Sequence, residues 1–140
     1  MPAMRRSDLQ AVAQAKIDDA VLLLSAKRFS NAYYLAGYAV EISLKACIAK
    51  QFSANTIPDR RFVVDVHVHD LKKLIGLAGL TQDLRQRETA SAQFSANWAL
   101  VTEWTPETRY EAVEAVTAQF MIAAITDASE GVLPWITTVW

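Results

Sequence analysis

The sequence predicts an all-α protein built as a helical bundle, and three observations carry that expectation. Apolar residues recur at helical spacing through two long stretches, residues 8–27 and 30–50. Only 4 Gly and 4 Pro interrupt the 140 residues. Hydrophobic residues make up 52% of the chain, above the usual soluble range, so a core and a partner face can both be supplied. The length suits one domain, residues 1–140, with a single substantial core.

Ser7 with Gln10 reads as a capping box that opens a helix from about Asp8 to Lys27. Its inward stripe is Leu9, Ala13, Ile17, Ala20 and Leu24. After "RFSN" a central helix runs from about Ser30 to Lys50, including "YYLAGYAVEISLKACIAK". Ala32, Ala36, Ala39, Ser43 and Ala46 fall on one side of it, with Cys47 at the edge. Tyr34, Tyr38, Glu41, Lys45 and Ile48 fall on the other. A helix apolar all round is packed on more than one face. Glu41 precedes Lys45 by one turn, the favourable order for a helical ion pair. Glu41 and the two lysines also make a membrane span costly. Cys47 is the only cysteine, which excludes an intramolecular disulfide; within such a helix it reads as a buried, reduced thiol.

"SANTIPDR" has the composition of a loop. In "RFVVDVHVHD", Val64, Val66 and Val68 alternate with Asp65, His67 and His69, which is strand periodicity. A lone strand has no partner here, so the segment is expected as an extended loop or as an edge pairing with another chain. Asp70 or His69 caps a short helix through "LKKLIGLAGL", ended by Gly79. Thr81 or Asp83 starts a further helical segment reaching about Trp104, with its continuity in question at "RETASAQ". Thr105-Pro106 is a strong helix start. Tyr110, Val113, Thr117, Phe120 and Ala124 then recur at core-facing spacing through the last long helix. Gly131 and Pro134 interrupt it, leaving "WITTVW" as a short docked tail or kinked extension.

The net charge of −1 conceals an asymmetry: residues 1–73 hold 11 Lys+Arg against 7 Asp+Glu, and residues 74–140 hold 3 against 8. These fields read first as solvated helix faces and second as an aid to docking two chains. Neither half has the concentrated basic character of a strong nucleic-acid binder. "MPAMRRSDLQ" shows no secretory signal, so the cytoplasm is the expected compartment, with no membrane association. Asp65, His67 and His69 invite a metal reading. They include the only two histidines of the chain, however, and distant ligands are lacking. Local roles are expected instead: His69 as a helix-entry residue bonding backbone groups, and His67 exposed. "IGLAGL" lacks the strand and the Lys or Ser/Thr of a phosphate-binding P-loop. No metal and no cofactor is expected.

Taken in order, "NAYYLAGYAVEISLKACIAK", "HDLKKLIGLAG" and "WTPETRYEAV" resemble the HEPN domain, and its small bacterial members in particular. Glu41 and Lys45 match the family's Glu-x-x-x-Lys helix ending. His69 and Leu71 match its His-x-Leu helix entry, and Trp104, Arg109 and Tyr110 its aromatic-to-Arg-Tyr segment. The resemblance spans roughly residues 8–138. It implies an up-and-down bundle of four to five helices that forms homodimers. It further implies a non-catalytic interaction module, partner of a small nucleotidyltransferase in a toxin–antitoxin-like pair, with nucleotide or RNA binding as a further implication. On this reading Glu41 is a partly buried anchor, satisfied by Lys45 or by a group such as Arg109 or Tyr110. Glu41, Lys45, His69, Arg109 and Tyr110 then form a polar cluster, either structural or ligand-binding.

Many members of that family are metal-independent ribonucleases that use an Arg, four to six intervening residues and a His. Imidazole can move protons at a ribose hydroxyl or leaving oxygen, and guanidinium can stabilise the phosphorane charge. Arg61 precedes His67 with five residues between them, and Arg60 precedes it with six. Both pairings lie ahead of the third expected helix, whereas the family's pair sits in the helical groove, and no histidine follows Arg109. An RNA-cleaving toxin using Arg61 and His67 is therefore the alternative reading.

Overall fold

Two long helices set the frame of the computed structural model, which describes residues 4–140. They are α1 (Arg6–Ser25) and α2 (Phe29–Ala49). The turn between them passes through Lys27 in the left-handed region, φ 60°. Shorter elements follow: α3 (Arg60–Asp65), α4 (Leu71–Leu77), α5 (Thr81–Ala90) and α6 (Ala92–Val101). A 3-10 segment (Pro106–Tyr110), α7 (Ala115–Thr126) and α8 (Val132–Thr137) complete the chain. The protein is an all-α helical bundle, as its sequence predicts. It is cut into more pieces than four or five, because each break carries its own local stop.

Helix α2 is the central element. It packs against α1, α4, α7, α8 and the 3-10 segment, so nearly every face is covered. Ala32, Ala36, Ala39, Ser43 and Ala46 are fully buried, and their small side chains allow neighbouring backbones to approach closely. Gly37 is buried for a specific reason: a Cβ there would collide with the indole of Trp104. Ala13, Ile17 and Ala20 bury the inner stripe of α1, while Leu24 packs partly covered at its edge. Cys47 is a buried free thiol, as expected, and burial pushes its pKa up to about 11. No helix among the described residues is long and apolar enough to cross a membrane.

Several elements depart from the sequence reading. The α1 N-cap is Arg5, with no side-chain cap bond, so Ser7 and Gln10 do not form a capping box. The alternating "RFVVDVHVHD" is no strand. Asp59 accepts from the Phe62 amide at 3.0 Å and opens the helix α3, with Arg61 3.8 Å from Asp65 one turn on. An unpaired strand would leave its amides without partners, and a short helix satisfies them locally. No strand occurs among the described residues. Asp70, not His69, caps α4 by accepting from the Lys73 amide at 3.2 Å. Gly79 follows that helix at φ +73°, the left-handed stop the sequence indicates.

The chain also breaks at Ser91, whose extended backbone (φ −143°, ψ 114°) ends α5 while its hydroxyl caps α6 through the Phe94 amide. Thr105-Pro106 does start a helix, but only the five-residue 3-10 segment. The last long helix begins later, at Ala115, and buries Ala118, Met121, Ile122, Ala124 and Ile125. Of the expected stripe only Ala124 is buried and Val113 partly so; Tyr110 and Phe120 are 76% and 62% exposed. The extended stretch before Ala115 resets the helical phase, so a periodicity counted from Tyr110 selects the wrong face. "WITTVW" does dock as a helical tail, with Ile136 buried in α8.

Candidate functional site

The apolar interior of α2 places one carboxylate, Glu41, where its side chain is 2% exposed. Lys45, one turn on, approaches Glu41 Oε2 at 3.3 Å with its own side chain 15% exposed. The other oxygen, Oε1, lies 2.9 Å from His69 Nδ1. A carboxylate can only accept, so Nδ1 is the protonated nitrogen of the ring. His69 is half-exposed and stands just ahead of the Asp70 cap, which fixes where the ring enters. Both carboxylate oxygens are thus occupied, and no buried side-chain polar atom among the described residues lacks a partner. Paired burial of this kind is the form in which an internal charge is tolerated. Its effect is to tie the loop before α4 to the middle of α2.

Beside this triad lies an open cleft of about 440 Å³, lined by His69, Lys72, Thr102, Trp104, Thr105 and Glu107. Of its lining residues, Trp104 belongs to an aromatic cluster with Tyr34 and Tyr38. Trp104 donates Nε1–H to the Tyr34 carbonyl at 3.2 Å, and its ring lies 6.1 Å from that of Tyr34. The Tyr38 ring meets Trp104 edge-on at 6.4 Å. Burial, with Glu41 and then Tyr34 adding, raises the Tyr38 pKa above its ordinary value.

The structure separates the remaining sequence candidates. Among the described residues, Glu41 is bonded to Lys45 and His69, and neither Arg109 nor Tyr110 joins it. Those two residues sit on the 3-10 segment, with the Arg109 guanidinium 4.8 Å over the Tyr110 ring. The expected link from Glu41 to the last helix through them is not formed, because the 3-10 segment turns Tyr110 outward. His69 bonds a carboxylate, not backbone groups. Arg61 is 90% exposed and leans toward Asp65, and His67 is exposed. No group of three His, Cys, Asp or Glu side chains among the described residues is placed to hold a metal ion.

A second polar cluster escaped the sequence reading. Glu130, in the turn before α8, accepts from Arg87 at 2.7 Å and from Ser91 at 2.6 Å. Its carbonyl accepts from Asn97 at 2.9 Å, and Arg87 also stacks over Phe94 at 5.0 Å. The partners are about forty residues apart in sequence, and no local spacing announces them. Only the Ser91 cap had a recognisable signal, a polar residue ahead of an apolar run. Compared with protein-family models, with curated proteins and with solved structures, the chain matches none of them.

Proposed function

We propose that this chain is a HEPN-like interaction module without catalytic chemistry. It pairs with a second copy of itself and with a small nucleotidyltransferase in a toxin–antitoxin-like couple, and nucleotide binding belongs to the same reading. The observation that supports it best is the internal Glu41–Lys45–His69 triad, which uses the Glu-x-x-x-Lys and His-x-Leu residues as a structural tie. Ribonuclease chemistry needs an Arg and a His converging on one phosphate. Of the candidate pair, His67 is exposed just past the end of α3, and Arg61 extends into solvent toward Asp65.

Sedimentation equilibrium at micromolar concentration is expected to show self-association, and a monomer throughout that range would count against the pairing. RNA incubated with the pure protein is expected to stay intact. Cleavage lost in His67→Ala but kept in His69→Ala would replace this function with the ribonuclease reading.

A further inference from the structure

The chain has 2 histidines, and the fold treats them differently. His67 stands exposed past the end of α3, with no carboxylate bonded to its ring among the described residues. His69 gives its Nδ1–H to Glu41 Oε1 at 2.9 Å. That carboxylate is 2% exposed and is itself held by Lys45, so the ring is fixed against an interior acceptor. An imidazole that keeps its proton on Nδ1 carries its free lone pair on Nε2. Nε2 lies on the far side of the ring from Glu41 and forms no hydrogen bond among the described residues. The side chain is 55% exposed and lines the cleft of about 440 Å³, so this nitrogen is open to a reagent.

A nucleophilic imidazole needs a fixed tautomer, an accessible lone pair and a counter-charge for the cation that forms on the ring. Glu41 supplies the first and the third, and the exposure of His69 supplies the second. Lys72 and Thr105 line the same cleft and offer a cation and a hydroxyl to oxyanion oxygens. Two acids share the lining, Asp70 and Glu107. Asp70 is engaged as the α4 cap through the Lys73 amide, which leaves Glu107 to be offset by Lys72. In a cleft open to water an acyl group on imidazole is soon hydrolysed, whereas a phosphoryl group on imidazole persists at neutral and alkaline pH. The lining and its openness therefore favour the phosphoryl group.

We infer that His69 is a phosphoryl-acceptor residue, taking the group at Nε2 from a small phosphoramidate or acyl phosphate donor while Glu41 holds Nδ1–H. With phosphoramidate, the Nε2 lone pair forms the new bond to phosphorus. The phosphorus–nitrogen bond of the donor breaks, and its electron pair leaves on ammonia. Nδ1 keeps its proton, so the cation formed on the ring faces the Glu41 carboxylate. Glu41 is a positioning residue in this step. A chain that neither paired with itself nor met a nucleotidyltransferase would still present the same nitrogen.

Incubation of the native protein with potassium phosphoramidate, followed by fragmentation mass spectrometry at alkaline pH, tests this. One acid-labile phosphoryl group is expected on His69, added at least about tenfold faster than on His67. In urea, where neither ring has a fixed partner, the two histidines are expected to label at the same rate. Glu41→Gln lets the ring proton move to Nε2 and is expected to slow labelling of His69 at least about tenfold, with circular dichroism confirming that the variant is folded. His67→Ala is expected to keep the adduct and His69→Ala to lose it. Absence of an adduct overturns the proposal, as does native labelling of His67 as fast as His69, which would mark ordinary surface reactivity. An unchanged rate in folded Glu41→Gln also overturns it, since the buried carboxylate would then do nothing for the ring. If that variant does not fold, the native and urea rates of the wild-type protein decide.

Discussion

Helix α2 buries a carboxylate, whereas α7, without a single charge, leaves a phenylalanine 62% exposed. By composition alone the expectation would run the other way, and the difference lies in what surrounds each helix. Helix α2 is flanked by α1, α4, α7 and α8, so most of its residues, Glu41 included, are buried and must find partners inside. Helix α7 is covered from the core side by α2 and flanked by α6 and α8, and its remaining face meets solvent. Burial is thus a property of position in the stack, and apolar character only sets which outcomes are affordable.

The largest expected effect is at the enclosed charge. Glu41→Ala leaves Lys45 mostly buried without its partner and should destabilise the fold by about 2–4 kcal/mol, His69 being partly relieved by solvent. Glu41→Gln should cost less. Urea unfolding of both variants decides, and a change below about 0.5 kcal/mol for Glu41→Ala would place that residue with ordinary surface positions. Next comes the close approach on the same helix. Gly37→Ala drives a methyl into Trp104 and should cost about 1–3 kcal/mol, with altered tryptophan fluorescence. An unchanged spectrum and midpoint would mean that the indole yields freely.

A third effect follows from the Cys47 thiol, which burial holds at about 11, well above the unfolded value of about 8.5. In that window the native state holds a proton that the unfolded state has released, so stability falls as pH rises. Between pH 8 and pH 10 the loss should be about 1–2 kcal/mol. Tyr33 and Tyr38, raised chiefly by burial, add to it in the same direction. Denaturation at both pH values should give a shallower dependence for Cys47→Ala, and an identical slope would show that the thiol is not its source. The smallest effect belongs to α7: Phe120→Asp should shift stability by less than about 0.5 kcal/mol. A loss of several times that amount would show that the ring is core in solution, and the contrast with α2 would collapse.

Signals carried within one stretch of chain match the structure. The small face of α2, the Glu41–Lys45 spacing, the Asp70 cap and the Gly79 stop are all contained within a few residues and appear as expected. Other local signals misled, the Ser7–Gln10 capping box among them, since α1 already begins at Arg6. Valine alternation suggested a strand that α3 replaces, because Asp59 and Asp65 make a short helix the better way to satisfy an isolated segment. Thr105-Pro106 promised a long helix and delivered five residues, after which the chain extends and the phase of α7 is reset.

By itself, then, the sequence determined the helical class, the identity of the central helix and the presence of one charge pair within it. These depend on periodicity, propensity and i,i+4 geometry, all of which act over a single turn or two. Tertiary structure alone decided that His69 would be the second partner of Glu41, that Glu130 would gather Arg87 and Ser91, and that Phe120 would face outward. Each of those outcomes depends on which helix lies beside which, and that is set by the packing of the whole core at once.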